Sequence, residues 1–340
     1  MEDRTYKKSN RITMKDIASK TGFTVNTVSR ALSNKSDISE ETKKQIKEAA
    51  NEMGYIGNSI AGALRSGSTK TISIILGDIS NPMFAILVKE MEVSLREQGY
   101  NAMILNTEES YILEEQAILS SLSKNVDGII ICPTQKDDSN IKLLKLNKIP
   151  FVLIGRRFVE DTYDYVVVDD KKGGYLATKH LIDNGYKRIL SLNGPQYISS
   201  AKERLEGYRR ALVESNIEPE LSLSKEVNIT SGNCYEIIKK TIQDGVSFDA
   251  VFAFNDLLAW EAIFTLNELG LRVPDDIAVV GFDNIQSKLL FPVPLTSISA
   301  SKTEMARKTV EILMKKITDK ISDIYYNEII DVELIKRGTA

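Results

Sequence analysis

Hydrophobic and polar positions follow two different rhythms along the chain. Up to Gly54 the apolar residues are spaced for short helices: Ile17 and Ala18, then Val28, Ala31 and Leu32, then Ile46, Ala49, Ala50 and Met53. From Thr71 onward, short and nearly continuous apolar runs alternate with amphipathic stretches. The runs are TISIILGD, YNAMILNT, VDGIIICP, IPFVLIGR, YVVVDD, KRILSLNG, FDAVFAFND, IAVVGFDN and LTSIS, and DVELIKRGT closes the chain. Apolar strands separated by helices, among them segments near 82–98 and 302–319, predict parallel sheets covered on both faces. About 270 residues exceed one comfortable core, so the pattern predicts two α/β lobes behind a small helical head.

Capping chemistry sets the helix limits in the head. Thr13, with Asp16 three residues on, predicts a capping box, and Gly22 permits a tight turn. Thr24 opens a second helix with Thr27 three residues later. Ser39 caps a third, Glu40 and Glu41 suit the positive end of its dipole, and Gly54 ends it. Two short helices joined by a turn, TMKDIASKTGFTVNTVSRALS, form a pattern suited to the DNA major groove. Val25, Asn26, Ser29 and Arg30 project from the second helix. Asn can read adenine, Arg can read guanine, and Val offers a methyl contact to thymine. The alternative is a solvated amphipathic helix carrying unrelated polar residues.

Charge is divided unevenly. The chain carries 44 Lys+Arg and 47 Asp+Glu, a net of −3, yet residues 1–70 hold 13 basic and 8 acidic side chains, a net of +5. By subtraction the remaining 270 residues are at −8. A basic segment on an acidic body fits a polyanion-binding head, with MEDRTYKKSNR as a basic tail.

The strand ends of the body carry polar residues. Asp78, Asn81 and Phe84 follow the first strand, and Arg156 and Arg157 follow the fourth. Asp169 and Asp170, Asn255 and Asp256, and Asp283 and Asn284 close others, and Arg204 lies in the helical segment SSAKERLEGYRRAL. Ligands of such sheets sit beyond the carboxyl ends of the strands. Taken singly, each Asp or Asn is explained by capping the next helix. Taken together they predict a cleft for a polyhydroxylated or heterocyclic small molecule.

With four segments in order (TMKDIASKTGFTVNTVSRALS, NEMGYIGNSIAGAL, SSAKERLEGYRRAL and LGLRVPDDIAVVGFDN) the sequence resembles the LacI/GalR family of bacterial transcription regulators from about Arg11 to Thr339. The resemblance implies a helix-turn-helix domain over 1–57, a hinge over 58–69, and a two-lobed core like a periplasmic binding protein. The first lobe is expected over 70–169 with 297–323, and the second over 170–296 with 324–340. The chain should cross between them near Asp169, near 292–297 and near Ile324. Base-reading positions of the family fall on Val25, Asn26 and Arg30, and positions that touch DNA or place the helix fall on Thr13, Lys15, Thr24 and Thr27. The hinge corresponds to Asn58 through Leu64, with Leu64 matching a leucine wedged into the minor groove. Gly57 stands where proline is usual and Gly62 where arginine is common. Each such glycine costs roughly 1 kcal/mol relative to Ala in an ordered helix.

For the effector, the resemblance implies Arg204, Asp283, Asn255 and Phe84. A position that often stacks a ring on the ligand falls on Val227, which removes stacking from that side; Phe84, Trp260 or Phe282 could substitute, but each also reads as a core residue, Trp260 and Phe282 more so than Phe84. A sugar or sugar phosphate is the expected effector. The resemblance further implies a near-palindromic operator bound by a homodimer, one half-site per protomer. No leucine-heptad extension follows Gly338, so a dimer is expected, not a four-protomer assembly. Inducer and corepressor logic both stay open, as does a phosphocarrier protein as partner.

Other classes fit less well. A solute-binding protein would share the core but needs a secretory signal, and MEDRTYKKSNRITMKD has no apolar stretch of that kind. GDISNP after the first strand is not a glycine-rich dinucleotide loop. His180 is the only histidine, and Cys132 and Cys234 show no metal-ligand spacing. No catalytic residue, metal, cofactor or membrane contact is expected, and the two isolated cysteines suit a reducing cytoplasm.

Overall fold

The computed structural model describes residues 12–57, 62, 67–158, 162–229, 233–287, 293–319 and 324–340. Asn58 and Leu64 of the expected hinge lie outside the described residues. The chain divides into two compact units, Met1–Thr69 and Lys70–Ala340.

In the first unit, α1 (Met14–Thr21), α2 (Val25–Leu32) and α3 (Glu40–Glu52) enclose a core of Ile17, Val28, Ala31 and Ile46, all without solvent exposure. The Asp16 carboxylate accepts both the backbone N–H and the hydroxyl of Thr13, each at 2.7 Å. Thr24 Oγ1 accepts the Thr27 N–H, and Ser39 Oγ accepts the Thr42 N–H. Gly22 turns the chain in the left-handed region at φ 75°, which L side chains adopt only with strain.

Twelve described strands build the second unit: β1 (Thr71–Leu76), β2 (Asn101–Asn106), β3 (Gly128–Ile131), β4 (Phe151–Ile154), β5 (Tyr165–Val168), β6 (Ile189–Asn193), β7 (Ser224–Glu226), β8 (Ala250–Ala253), β9 (Ala278–Phe282), β10 (Thr296–Ala300), β11 (Asn327–Ile330) and β12 (Val332–Ile335). They form two six-stranded sheets, ordered β11-β5-β4-β3-β1-β2 and β12-β10-β9-β8-β6-β7. Every pairing is parallel except β10 with β12. Helices α4 (Pro82–Glu97), α5 (Tyr111–Ser123), α6 (Ser139–Leu146), α7 (Asp170–Asp183), α8 (Ser199–Glu214), α9 (Cys234–Gln243), α10 (Asp256–Glu268) and α11 (Lys302–Thr318) connect them. Among them no helix is long and apolar enough to cross a membrane.

Both sheets reverse their winding at the same place. β1 lies between β3 and β2, and β6 lies between β8 and β7. Such a reversal leaves a crevice beyond the strand ends, because successive connections leave it in opposite directions.

Strand partners correct the expected lobe limits. The chain passes between sheets at Asp169, Ser301 and Asp331, not near 292–297 or Ile324. β10 pairs with β9 through Thr296 and Val280, so the LTSIS strand belongs to the second lobe. β11 pairs with β5 through Asn327 and Tyr165, so this segment returns to the first. Apolar runs mark strands, but pairing is set by contacts far apart in sequence.

Helices α7 and α8 pack unusually close. A Cβ on Gly174 would stand 2.2 Å from the Arg204 carbonyl oxygen, and one on Gly207 would stand 2.1 Å from that of Lys171. The KKGGY stretch is therefore a contact surface between two helices, and its closeness sets Arg204 beside Asp170.

Candidate functional site

On the helical head, the side chains expected to meet DNA are divided by exposure. Thr13, Lys15, Thr24, Val25, Asn26 and Arg30 are exposed, and Thr27 and Ser29 are half-buried. Thr24 and Thr27 are tied to each other at the start of α2 through their hydroxyls, 2.9 Å apart. They fix the helix start, while Val25 and Asn26 project beyond it. Arg30 Nε donates to Asp37 Oδ2 at 2.8 Å.

Within the second unit, one narrow cavity of about 60 Å³ is lined by Asp78, Asn81, Phe84, Arg156, Arg204, Asn255 and Asp283. It sits at the two winding reversals: Asp78 and Asn81 follow β1, while Arg204 and Asn255 follow β6 and β8. Asp169 is not with them. Its carboxylate caps α7 by accepting the Lys172 N–H, and it lines a separate cavity of about 550 Å³. Asn81 and Asn255 also cap helices, through Oδ1 to the N–H groups of Met83 and Leu258. Capping uses the amide oxygen and leaves the NH₂ group as a donor, so the structural and binding roles coexist.

Arg204 is held on several sides. Its Nε donates to Asp170 Oδ1 at 2.7 Å, and Nη1 donates to the Phe254 carbonyl oxygen. The guanidinium lies 3.5 Å from the centre of the Phe282 ring and 4.5 Å from that of Phe254. Asp283 Oδ1 stands 3.9 Å from Nη2, a loose contact beside the cavity. Burial pushes the carboxyls of Asp170 and Asp283 up, and the Arg204 charge opposes it. Asp283 has φ 101°, a strained conformation for a side chain with a Cβ, at a position that faces the cavity. Phe282 serves Arg204 as a platform. Trp260 instead packs at the edge of the second lobe's core, where its Nε1 donates to the Val293 carbonyl oxygen at 3.4 Å.

Glu109 was not found from the sequence. Its carboxylate forms a bidentate pair with Arg156, both bonds at 2.7 Å, and occupies the space a Gly77 side chain would need. Its backbone lies at φ 54°, in a loop without periodicity, so no pattern announces it. Met83, Cys132, Gly155, Ser200, Ile229 and Phe254 complete the lining. Burial pushes the Cys132 thiol up to about 12, which keeps it an inert wall. Val227 is buried and does not line this cavity; Ile229, two residues on, does. The side expected to lack a stacking ring is therefore closed by isoleucine. Among the described residues no group of three or more His, Cys, Asp or Glu is placed to hold a metal.

A model of the bacterial regulatory proteins of the LacI family matches residues 13–58. A second, for periplasmic binding proteins and the sugar binding domain of that family, matches residues 69–337. The chain belongs to the LacI family of bacterial regulatory proteins. It is similar to the HTH-type transcriptional repressor PurR of Aliivibrio salmonicida, 32% identical over 309 residues, 91% of this chain and 93% of that protein. Its likeness to PurR of Vibrio vulnificus is 32% over 328 residues, covering 96% and 98%. Among solved structures it resembles the transcriptional regulator CelR–cellobiose complex, with TM-score 0.74, 28% identity, and 97% and 100% coverage. It shares the fold of the lac repressor dimer bound to operator and the anti-inducer ONPF, at TM-score 0.84, 24% identity, and 97% and 99% coverage. This regulator is thus a DNA-binding transcription factor, and the reading as a bare solute-binding protein gives way to it.

Proposed function

We propose that this regulator acts in the cytoplasm as a repressor without enzymatic activity, binding a near-palindromic operator as a homodimer under control of an uncharged sugar between its lobes. The observation that carries the effector half is the gathering of Asp78, Asn81, Phe84, Arg156, Arg204, Asn255 and Asp283 around one cavity. Amides, carboxylates and guanidinium groups beside a phenyl ring match a ligand with many hydroxyls and one apolar face. Between a sugar and a sugar phosphate, charge decides. Asp78, Glu109 and Asp283 oppose Arg156 and Arg204 in the lining, and both arginines already hold carboxylates. A phosphate would meet net negative charge, whereas a hydroxyl can donate to each carboxylate. The sugars in the CelR–cellobiose complex and in an Alkaliphilus metalliredigens relative complexed with D-xylulofuranose (26% identity, TM-score 0.69, covering 79% of this chain and 98% of that one) support the same class.

On the DNA side, Val25, Asn26 and Arg30 are assigned to base edges and Leu64 to the minor groove, with Thr13, Lys15, Thr24, Thr27, Ser29 and Asn58 placing the head. Effector binding shifts DNA affinity by its preference between two lobe arrangements. The test is a thermal-shift screen of sugars, sugar phosphates and nucleobases, followed by operator binding at fixed salt with the strongest hit. An uncharged sugar that raises the melting temperature and changes operator affinity is expected. A phosphorylated sugar or nucleobase as the only hit would overturn the ligand class. Strong operator binding with no response to any small molecule would overturn the effector half.

A further inference from the structure

The cavity beside Arg204 holds the polar recognition groups but little room. Its 60 Å³ falls well below the several hundred Å³ of a usual ligand pocket. The room lies immediately outside it. A second cavity of about 450 Å³ shares Glu109 and Ile229 with the first and continues between the lobes. Glu108 and Lys136 come from the first lobe; Tyr197 and Glu226 come from the second.

Tyr197 gives this outer space its character. It is 49% exposed, although its ring is a large apolar surface, and it stands on the loop between β6 and α8 that also leads to Arg204. Tyr197 lines the outer cavity together with Glu109, whose carboxylate also borders the inner one, so the ring stands next to the boundary between the two. An aromatic face flanked by acceptors suits a sugar ring: the C–H face packs on the phenol ring and the equatorial hydroxyls donate to the carboxylates. Glu108, Glu109 and Glu226 against Lys136 make the outer space acidic, so an anionic second unit is disfavoured there.

We infer that the effector is an uncharged sugar of at least two linked units, one anchored by the groups around Arg204 and the next seated against Tyr197 in the outer cavity. The inference rests on the sugar-class reading above and adds a ligand length and a residue that selects for it. Because both lobes line the outer cavity, the second unit also joins them and contributes to the lobe arrangement that DNA senses.

The experiment is calorimetric titration of the full-length protein with cellobiose, maltose and lactose, set against glucose and galactose, for the wild type, Tyr197→Ala and Tyr197→Phe. At least one disaccharide is expected to bind tenfold or more tighter than its component monosaccharides. Tyr197→Ala should erase that advantage with monosaccharide binding changed less than twofold, while Tyr197→Phe keeps it. A monosaccharide that binds as tightly as every disaccharide, or an advantage that survives Tyr197→Ala, overturns the two-unit inference and leaves the sugar class standing. Binding of a nucleobase or sugar phosphate with no binding of any of the five sugars overturns both.

Discussion

Arg157, just beyond β4 in the first lobe, forms an ion pair at 3.0 Å with Glu203 on α8 in the second. The Arg157 backbone N–H also donates to Ser199 Oγ, and the Ser199 N–H donates to Gln135 Oε1. The first turn of α8 is therefore fastened to the opposite lobe one turn ahead of Arg204, so whatever moves the lobes moves the cavity.

Weakening this fastening should weaken effector binding. The cavity is complete only with residues of both lobes, and apparent affinity scales with the fraction of molecules in the competent arrangement. Glu203→Gln removes the charge and keeps the shape. Arg157 stays partly solvated at 30% exposure, so no buried charge is stranded. Effector affinity is expected to fall about two- to tenfold, with a larger radius of gyration by small-angle X-ray scattering. Unchanged affinity and unchanged scattering would remove the fastening from the mechanism.

A second test concerns the pair between Arg30 and Asp37. Both side chains are nearly half exposed, so the pair contributes no more than about 1 kcal/mol. DNA can displace it. Arg30→Ala should cost about 1–3 kcal/mol of discrimination at one base pair of each half-site. Asp37→Asn should keep the base preference and raise overall affinity, because a negative charge near the phosphates is gone. Fluorescence anisotropy with single-base operator variants at one salt concentration separates the two effects. Equal loss across all sequences in Arg30→Ala would make Arg30 a phosphate contact.

Much of this was legible in the residues, and the failures share a physical cause. Caps at Thr24 and Ser39 and the turn at Gly22 are local chemistry, and all appear where expected. Parallel sheets follow from apolar runs, which are local too. The partners of β10 and β11, the Glu109–Arg156 pair and the closeness of Gly174 to Gly207 depend on segments dozens of residues apart, and no local pattern encodes them. Asp169 shows how an acidic residue at a strand end is divided: one carboxylate oxygen caps its own helix, and the residue lines a cavity separate from the one around Arg204.

Dimer formation can be tested on exposed apolar side chains. Ile104 is 46% exposed on the edge strand β2, and Phe264 is 63% exposed on α10, where Leu257 also reaches solvent. These exposed apolar surfaces, one in each lobe, are the candidates tested for the homodimer contact. Ile104→Asp and Phe264→Asp together should shift the sedimentation coefficient to that of a monomer and reduce operator affinity by at least tenfold. The melting temperature of the monomer should change little, since neither residue belongs to a core. A dimer that persists in the double variant would place the interface elsewhere.

The last prediction concerns pH. Asp256 opens α10 with 1% exposure, accepting the Ile285 N–H at 2.8 Å and the Ser297 hydroxyl at 2.5 Å. Burial, and next the Asp283 carboxylate, push its carboxyl from 3.8 up to about 7, against the opposing hydrogen bonds. The folded state therefore holds a proton that the unfolded state has released. Stability from this group is complete below the unfolded pKa near 4 and is lost as pH rises toward 7, by at most about 1.4 kcal/mol per pH unit. Asp256→Asn keeps the size, accepts the Ile285 N–H through Oδ1, donates to Ser297 Oγ through Nδ2 and cannot ionise. Urea unfolding from pH 5 to pH 8 should show the wild type losing stability and Asp256→Asn losing distinctly less. Parallel curves for the two proteins would mean that Asp256 is ionised in the fold throughout, and that its two hydrogen bonds outweigh its burial.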